Sequence, residues 1–222
     1  LVGTDKGDVF NGIVDTNSTL TALDSIDGKE GKDTLNILNA KAAALELPAG
    51  LVVKNVEIVN VKSAHDVGKT GAGNSFDVSG FTGLTDLNIT QATAAYLKAA
   101  ATTDVNVSGI TGATAVVEVT GGKTVTVNHK MDSAGDKIDV NGAVNVNVTA
   151  TDVINAAGIN VGTTTAVTGT VNVTSTGAAI TAATVTHSMD AIAVTGGTTV
   201  TVTQKATSDL ATVATDTSAQ TI

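Results

Sequence analysis

The sequence predicts an all-β protein, an elongated right-handed parallel β-solenoid with short helical excursions. Threonine is the most frequent residue, with 39 copies among 222, and it often alternates with valine. Both residues are β-branched and favour an extended backbone. Aromatic residues make up only 2% of the chain, whereas a rounded globular core usually depends on large rings. Short alternating segments begin roughly 8–12 residues apart, which is the spacing of an all-β array.

The predicted strands share an alternation of apolar and polar residues. They lie at 34–38, 55–61, 75–78, 84–89, 104–107, 115–119, 124–127, 137–140, 144–148, 158–161, 170–173, 183–186, 191–194 and 199–202. Two alanine-rich segments are the predicted helical excursions. The first spans 40–47 and stops at Pro48, and the second spans 92–101.

One internal repeat favours a stacked architecture. VTGGKTVTV at 119–127 returns as VTGGTTVTV at 194–202, and the paired glycines allow a sharp turn between strands. Tandem β-sandwich modules are the alternative, with the glycine pairs at hairpins. A sandwich normally needs a large core aromatic in each module, and Tyr96 is the only aromatic residue after Phe81. The solenoid is therefore the preferred prediction.

Charge and composition exclude several functions. The net charge of −9 and the pI of about 4.5 argue against nucleic acid, whose binding requires cations that neutralise phosphate. No apolar run reaches the length of a transmembrane segment, and without cysteine there is neither a disulfide nor a catalytic thiol. The acidic balance is compatible with a divalent cation such as calcium, or with acidity that only maintains solubility.

The first forty residues differ from the rest in composition. We predict an Asp/Gly-rich, calcium-binding-like segment over 1–40 and a Thr/Val-rich repetitive β-solenoid over 41–222. In GTDKGDVFNG (3–12) and DGKEGKDTLN (27–36), glycines allow tight turns and an aspartate precedes an apolar strand residue. Such turns can surround calcium with carboxylate and carbonyl oxygens. Ordinary Asp/Gly turns are the alternative, and the lysines at 6, 29 and 32 must point outward if an ion is bound.

The order GTDKGDVFNG, TLTALDSIDGKEGKDTLNIL, LPAGLVVKNVEIVNV and FTGLTDLNIT resembles calcium-dependent bacterial surface-layer proteins exported by type I secretion, which have repeats-in-toxin character. The similarity covers Gly3 to about Thr90. Residues 100–222 share only Thr/Val/Gly repeats with VTGG turns, and large type I-secreted adhesins are similar in style. The resemblance implies calcium-driven ordering and self-assembly into a sheet over the cell. The calcium ligands that it implies are Asp8, Asp24 and Asp33, with Asp5 and Asp27 as weaker candidates.

We therefore expect a non-enzymatic structural segment of a bacterial surface layer, cut from a longer secreted protein and located at the extracellular cell surface. Its expected partners are further copies of itself, and cell-surface polysaccharide through regions outside this sequence. A stalk or binding module of a secreted adhesin is the alternative. A solenoid carbohydrate-active enzyme is a third possibility, but that chemistry usually needs a strong base such as arginine, which the chain lacks.

Other titratable residues are expected at the surface. His129 and His187 each lie at the end of a predicted strand, and we expect both in exposed turns. Three further aspartates surround Gly135, and we interpret them as a solvated turn rather than as a second calcium site. They are Asp132, Asp136 and Asp139.

Overall fold

A computed structural model describes residues 1–71, 73–179, 187–207 and 216–221, with only the backbone described for 187, 190 and 216–221. Nine parallel strands form the first sheet. In sheet order they are β1 (Val9–Val14), β3 (Thr34–Asn39), β5 (Ile58–Ser63), β7 (Asp86–Gln91), β9 (Asp104–Val107), β11 (Thr124–Lys130), β13 (Asn145–Val153), β15 (Thr170–Gly177) and β17 (Thr199–Lys205).

Seven parallel strands form the second sheet. They are β6 (Phe76–Asp77), β8 (Ala95–Ala99), β10 (Val116–Gly121), β12 (Lys137–Asn141), β14 (Gly158–Val161), β16 (His187–Val194) and β18 (Asp216–Thr221). Two short strands, β2 (Ser25–Asp27) and β4 (Val52–Lys54), form a third sheet. No helix occurs in the described ranges, and none there could therefore cross a membrane.

Successive turns of the chain stack on one another. Each strand pairs in parallel with the next strand of its own sheet. Within the first sheet, the shortest turn of the chain runs from Asp86 to its partner Asp104, and the longest runs from Thr170 to its partner Thr199. This is a parallel β-solenoid, as predicted, and not a set of antiparallel sandwiches. β1 and β3, from the Asp/Gly-rich segment, belong to the same sheet as the later strands.

The core lies between the sheets and consists of in-register columns of aliphatic side chains. One such column runs through seven consecutive strands of the first sheet, and each member is 0% exposed: Leu35, Val59, Leu87, Val105, Val125, Val146 and Val171. Alternation places these side chains inward because successive residues of a strand face opposite sides. Phe76 is the only fully buried aromatic among the described residues, so the core is narrow and aliphatic, in line with the composition.

An asparagine ladder runs along the outer face of the first sheet. Four hydrogen bonds of 2.9–3.0 Å join the side-chain Nδ2 of one asparagine to the Oδ1 of the asparagine in the preceding turn. The members of this ladder are Asn11, Asn36, Asn60, Asn88 and Asn106. Thr126 interrupts the column, and Asn172 resumes it by donating to Asn147 at 2.9 Å.

The predicted helix over 40–47 is wrong. Leu45 instead forms a parallel bridge with Val67 and is completely buried. The side chain of Asn39 accepts from the Lys41 N–H and donates to the Ala43 carbonyl. A helix would pair the Ala43 carbonyl with the Leu47 N–H, so the bond from Asn39 occupies an acceptor that the helix would need.

The predicted helix over 92–101 is also wrong, because half of that segment, Ala95–Ala99, is strand β8. Leu97 is buried and pairs with Val119 of β10. Helix propensity is a weak preference that tertiary packing overrides. The strand predicted at 183–186 lies outside the described residues.

Candidate cation site in the Asp–Gly turns

The candidate site is formed where three turns enter the first sheet. The residues immediately before β1, β3 and β5 are Asp8, Asp33 and Glu57. They stack because Val9 pairs with Thr34, which in turn pairs with Ile58. We call Asp8, Asp33 and Glu57 the acidic column.

Hydrogen bonds link the acidic column to the backbone of neighbouring turns. The Asp8 N–H donates to Asp33 Oδ1 at 2.7 Å, and the Asp33 N–H donates to Glu57 Oε2 at 2.7 Å. Asp8 Oδ2 accepts from the Thr4 N–H at 2.7 Å and from the Thr4 hydroxyl at 2.9 Å. The carboxylates of Asp33 and Glu57 thus each accept from the backbone N–H of the acidic residue one turn earlier.

Asp33 is the unusual member of the column. It is 0% exposed, and its Oδ2 has no hydrogen-bond partner among the described residues. Leaving a buried polar atom unpaired costs free energy, and a buried charge costs more. Asp33 Oδ2 is therefore the atom in this column that a bound cation would satisfy.

Two glycines line the same turns. A Cβ added to Gly28 would overlap the Asn55 carbonyl oxygen and would lie 2.8 Å from Asp33 Cγ. One turn earlier, a Cβ added to Gly3 would overlap the Gly28 carbonyl oxygen and would lie 2.9 Å from Asp8 Oδ2. Each glycine therefore sits against one carbonyl oxygen and one carboxylate. Oxygen atoms of these two kinds are the ligands that calcium takes.

Asp24 and Asp27 are used elsewhere. Asp24 Oδ2 accepts from the Thr21 N–H at 2.6 Å and from the Thr21 hydroxyl at 3.2 Å, which closes a local turn. Asp27 Oδ1 accepts from Asn55 Nδ2 at 2.8 Å and from the Lys29 N–H at 3.1 Å. The hydrogen bond from Asn55, assisted by Lys29, holds the pKa of Asp27 below its ordinary value.

The structure thus brings together two of the five predicted ligands, Asp8 and Asp33, while Asp5 is exposed in the first turn. Sequence reasoning missed Glu57, because residues 55–61 were predicted as one continuous strand. Its signal was its position directly before an apolar strand, as for the two aspartates. Across the described residues no group of three or more His, Cys, Asp or Glu side chains is placed to hold a metal, so backbone carbonyls would have to complete a calcium site.

The three lysines inside the turns are exposed, as calcium binding would require. Lys6 and Lys32 face solvent beside the acidic column. Lys29 adopts a φ of 76° and places its Nζ 3.3 Å from Asp27 Oδ2. None of the three is therefore buried with Asp33.

The prediction that Asp136 lies in a solvated turn is wrong, because this residue is only 1% exposed. Its Oδ1 accepts from the Ala115 N–H at 2.7 Å and its Oδ2 from the Ser133 N–H at 2.9 Å. It therefore caps the second sheet in the same way that Asp33 caps the first. Asp132, by contrast, is exposed and pairs with Lys130 at 2.8 Å.

The prediction that His129 lies in an exposed turn is also wrong. His129 lies within β11 and is 4% exposed, because the inward alternation of Val125 and Val127 continues to it. Within the described ranges, neither ring nitrogen has a hydrogen-bond partner. Burial lowers the pKa of His129, and the nearby carboxylates of Asp136 and Asp132 only partly oppose this shift.

Comparison with known proteins identified no match for this chain. No protein-family model matches the chain, and no match was found among the curated proteins or the solved structures.

Proposed function

We propose that the chain is a structural, non-enzymatic segment of a secreted bacterial surface layer, in which calcium orders the Asp–Gly turns and copies associate with one another. The observation that carries this proposal is the buried Asp33 carboxylate at the start of a regular solenoid, whose Oδ2 lacks a hydrogen-bond partner in the part of the chain that the structure describes. A calcium ion bound there would satisfy that oxygen and would hold the first turns in an ordered conformation.

The oxygens that would hold calcium come from adjacent turns. Asp33 Oδ2 and the Asn55 carbonyl lie against Gly28, and Asp8 Oδ2 and the Gly28 carbonyl lie against Gly3. Parallel strands stack roughly 4.8 Å apart, so the carboxylates of the acidic column repel one another without a cation. A divalent ion would remove this repulsion and hold the turns together.

Surfaces suited to association lie in the same region. β1 is an edge strand of the first sheet, and an edge offers unpaired backbone groups to another chain segment. Large apolar side chains are exposed in and around the first turns, where another copy could bury them. They are Leu1, Val2, Val9, Ile13, Leu23 and Leu38.

Calcium titration by calorimetry, followed by electron microscopy, tests the proposal. We expect saturable calcium binding and regular assemblies that a chelator disperses. Asp33→Asn should abolish both, because the amide keeps an acceptor for the Asp8 N–H but removes the charge. The matched control is Asp77→Asn, whose carboxylate is paired with Lys98 at 2.8 Å on the second sheet. Absence of calcium binding by the wild-type chain would overturn the calcium part, and binding without any assembly would overturn the surface-layer part.

A stalk or binding module of a secreted adhesin is the second candidate. It is favoured by the uninterrupted parallel pairing of nine strands, since a stacked solenoid makes a continuous spacer. An adhesin stalk would bind calcium yet stay monomeric at high concentration. Sedimentation velocity with calcium therefore separates the two candidates.

A further inference from the structure

We propose a second site, a cleft beside Tyr96 on the outer face of the second sheet that binds a neutral oligosaccharide. The cleft has a volume of about 450 Å³, within the range of small-ligand sites. Tyr96 contributes the aromatic surface, Glu118 and Thr120 lie on one side, and Lys69, Thr70, Gly71 and Gly73 lie on the other. This site uses none of the residues of the acidic column.

Strand pairing fixes the polar groups around the ring. Tyr96 points outward because Ala95 and Leu97 on either side of it are buried. β8 pairs with β10 so that Glu118 lies directly beside Tyr96, and Thr120 lies beside Lys98. A carboxylate, a hydroxyl and an ammonium group therefore surround one aromatic side chain.

Backbone hydrogen bonds tie the described residues on that side of the cleft to one another. The Lys69 N–H donates to the Asn74 carbonyl at 2.8 Å, and the Asn74 N–H donates to the Gly71 carbonyl at 3.2 Å. This side is anchored against β8 at Gly68, where an added Cβ would overlap the Tyr96 carbonyl oxygen. Only glycine allows this approach, and its φ of 72° is one that glycine adopts readily.

The chemistry of the cleft suits a sugar. An aromatic side chain with a polar end can contact the apolar face of a pyranose while nearby polar groups bond its hydroxyls. Burial, with help from Asp66 and Glu118, raises the pKa of Tyr96, so its hydroxyl stays protonated and can donate. Lys98 is paired with Asp77, and Lys69 with Glu46. With these cations already neutralised, the cleft favours an uncharged ligand.

Polar side chains continue from the cleft along the solenoid. The column that contains Tyr96 and Glu118 proceeds in register to Asp139 of β12 and Asn160 of β14. Each turn therefore offers one polar group roughly 4.8 Å from the last, a spacing comparable with the length of one pyranose unit. We infer that a linear oligosaccharide lies along the axis, with one sugar over Tyr96.

Tyr96 is its own probe, because the chain has one tyrosine and no tryptophan. The experiment adds maltohexaose, cellohexaose, chitohexaose and mannohexaose to the calcium-free chain and follows tyrosine fluorescence and calorimetry. At least one should bind saturably. Tyr96→Ala and Glu118→Ala should each weaken that binding at least tenfold. Tyr96→Phe keeps the ring but loses the hydroxyl, so in calorimetry it should weaken binding less than Tyr96→Ala. Thr126→Ala on the first sheet should leave binding unchanged.

Three results would overturn this proposal. The first is that none of the four oligosaccharides binds saturably. The second is binding that survives Tyr96→Ala. The third is that oligogalacturonate, added as an acidic comparison, binds while the four neutral oligosaccharides do not. Because the test runs without calcium, its outcome is independent of the calcium and assembly experiments above.

Discussion

At the scale of single residues, the closest packing in the Asp–Gly turns occurs at Gly28. Its neighbour is the backbone oxygen of Asn55, which cannot move aside as a flexible side chain could. Gly28→Ala should therefore lower the free energy of unfolding by about 3 kcal/mol, the upper range for forced overpacking. Chemical denaturation measures this. Gly80→Ala is the control, because a Cβ there meets nothing within 4 Å, and equal effects of the two substitutions would contradict the packing described.

Buried His129 predicts a pH dependence of stability. Its folded pKa lies below the value of 6.5 of an exposed histidine, so the unfolded chain takes up a proton first as the pH falls. The stability contributed by neutral His129 is thus complete above about pH 6.5 and is lost as the pH drops through the folded pKa. Asp136 and Asp132, the carboxylates that act on the ring, reduce this loss without reversing it.

Melting temperatures between pH 7.5 and pH 5.5 test this dependence. His129→Leu should flatten the decline seen in the wild-type chain, because the variant carries no buried imidazole. His65→Gln, at a half-buried position, is the control and should keep most of the decline. An unchanged slope in His129→Leu would show that other groups cause the pH effect.

Residue patterns identified only part of the candidate site. Asp8 and Asp33 were predictable, since each follows a glycine-containing turn and directly precedes an apolar strand. Glu57 was not, because it lacks that turn and lies within an alternating segment. The burial of Asp136 and His129 was also not predicted. Asp136 is buried because it caps the second sheet, and His129 because β11 continues inward past Val127. Neither could be known before the strands were placed.

At the scale of elements, the asparagine ladder contributes to the pairing of strands in the first sheet. Asn60 lies at its centre, donating to Asn36 and accepting from Asn88. Asn60→Ala removes both bonds and should cost roughly 1–3 kcal/mol, at about 0.5–1.5 kcal/mol for each hydrogen bond. Denaturation curves would show this loss, and Thr126→Ala, in the same column but between the two parts of the ladder, should cost less.

Alternation predicted most strands of both sheets because Val and Thr repeat with period two. It missed β1, where Gly12 takes an inward position, and the three-residue strands β2 and β4. It also missed β8, since an alanine-rich run does not distinguish helix from strand until its pairing with β10 is known. Local sequence therefore identified elements with a strong periodic pattern, and tertiary pairing determined the others.

At the scale of the whole molecule, the fold is a one-dimensional stack in which each turn contacts its neighbours. The turns differ in length, as the pairs Asp86–Asp104 and Thr170–Thr199 show. The paired strands nevertheless stay in register over most of their length, with local shifts in three pairings, because the connecting loops take up the difference. Regular strand spacing, the VTGG repeat and the scarcity of aromatics together predicted this architecture, since a core without large aromatics has to be thin. Such a stack also propagates order from one turn to the next, so a cation that orders the first turns should stabilise the turns above them.

Thermal melting with calcium and with a chelator tests the central claim most directly. Calcium that binds only the folded chain should add about 3 kcal/mol to its stability at a hundredfold excess over the dissociation constant. The wild-type chain should therefore melt at a higher temperature in calcium than in chelator, whereas the two curves of Asp33→Asn should coincide. Coincident curves for the wild-type chain would contradict the account and would leave the acidic column with only its capping role.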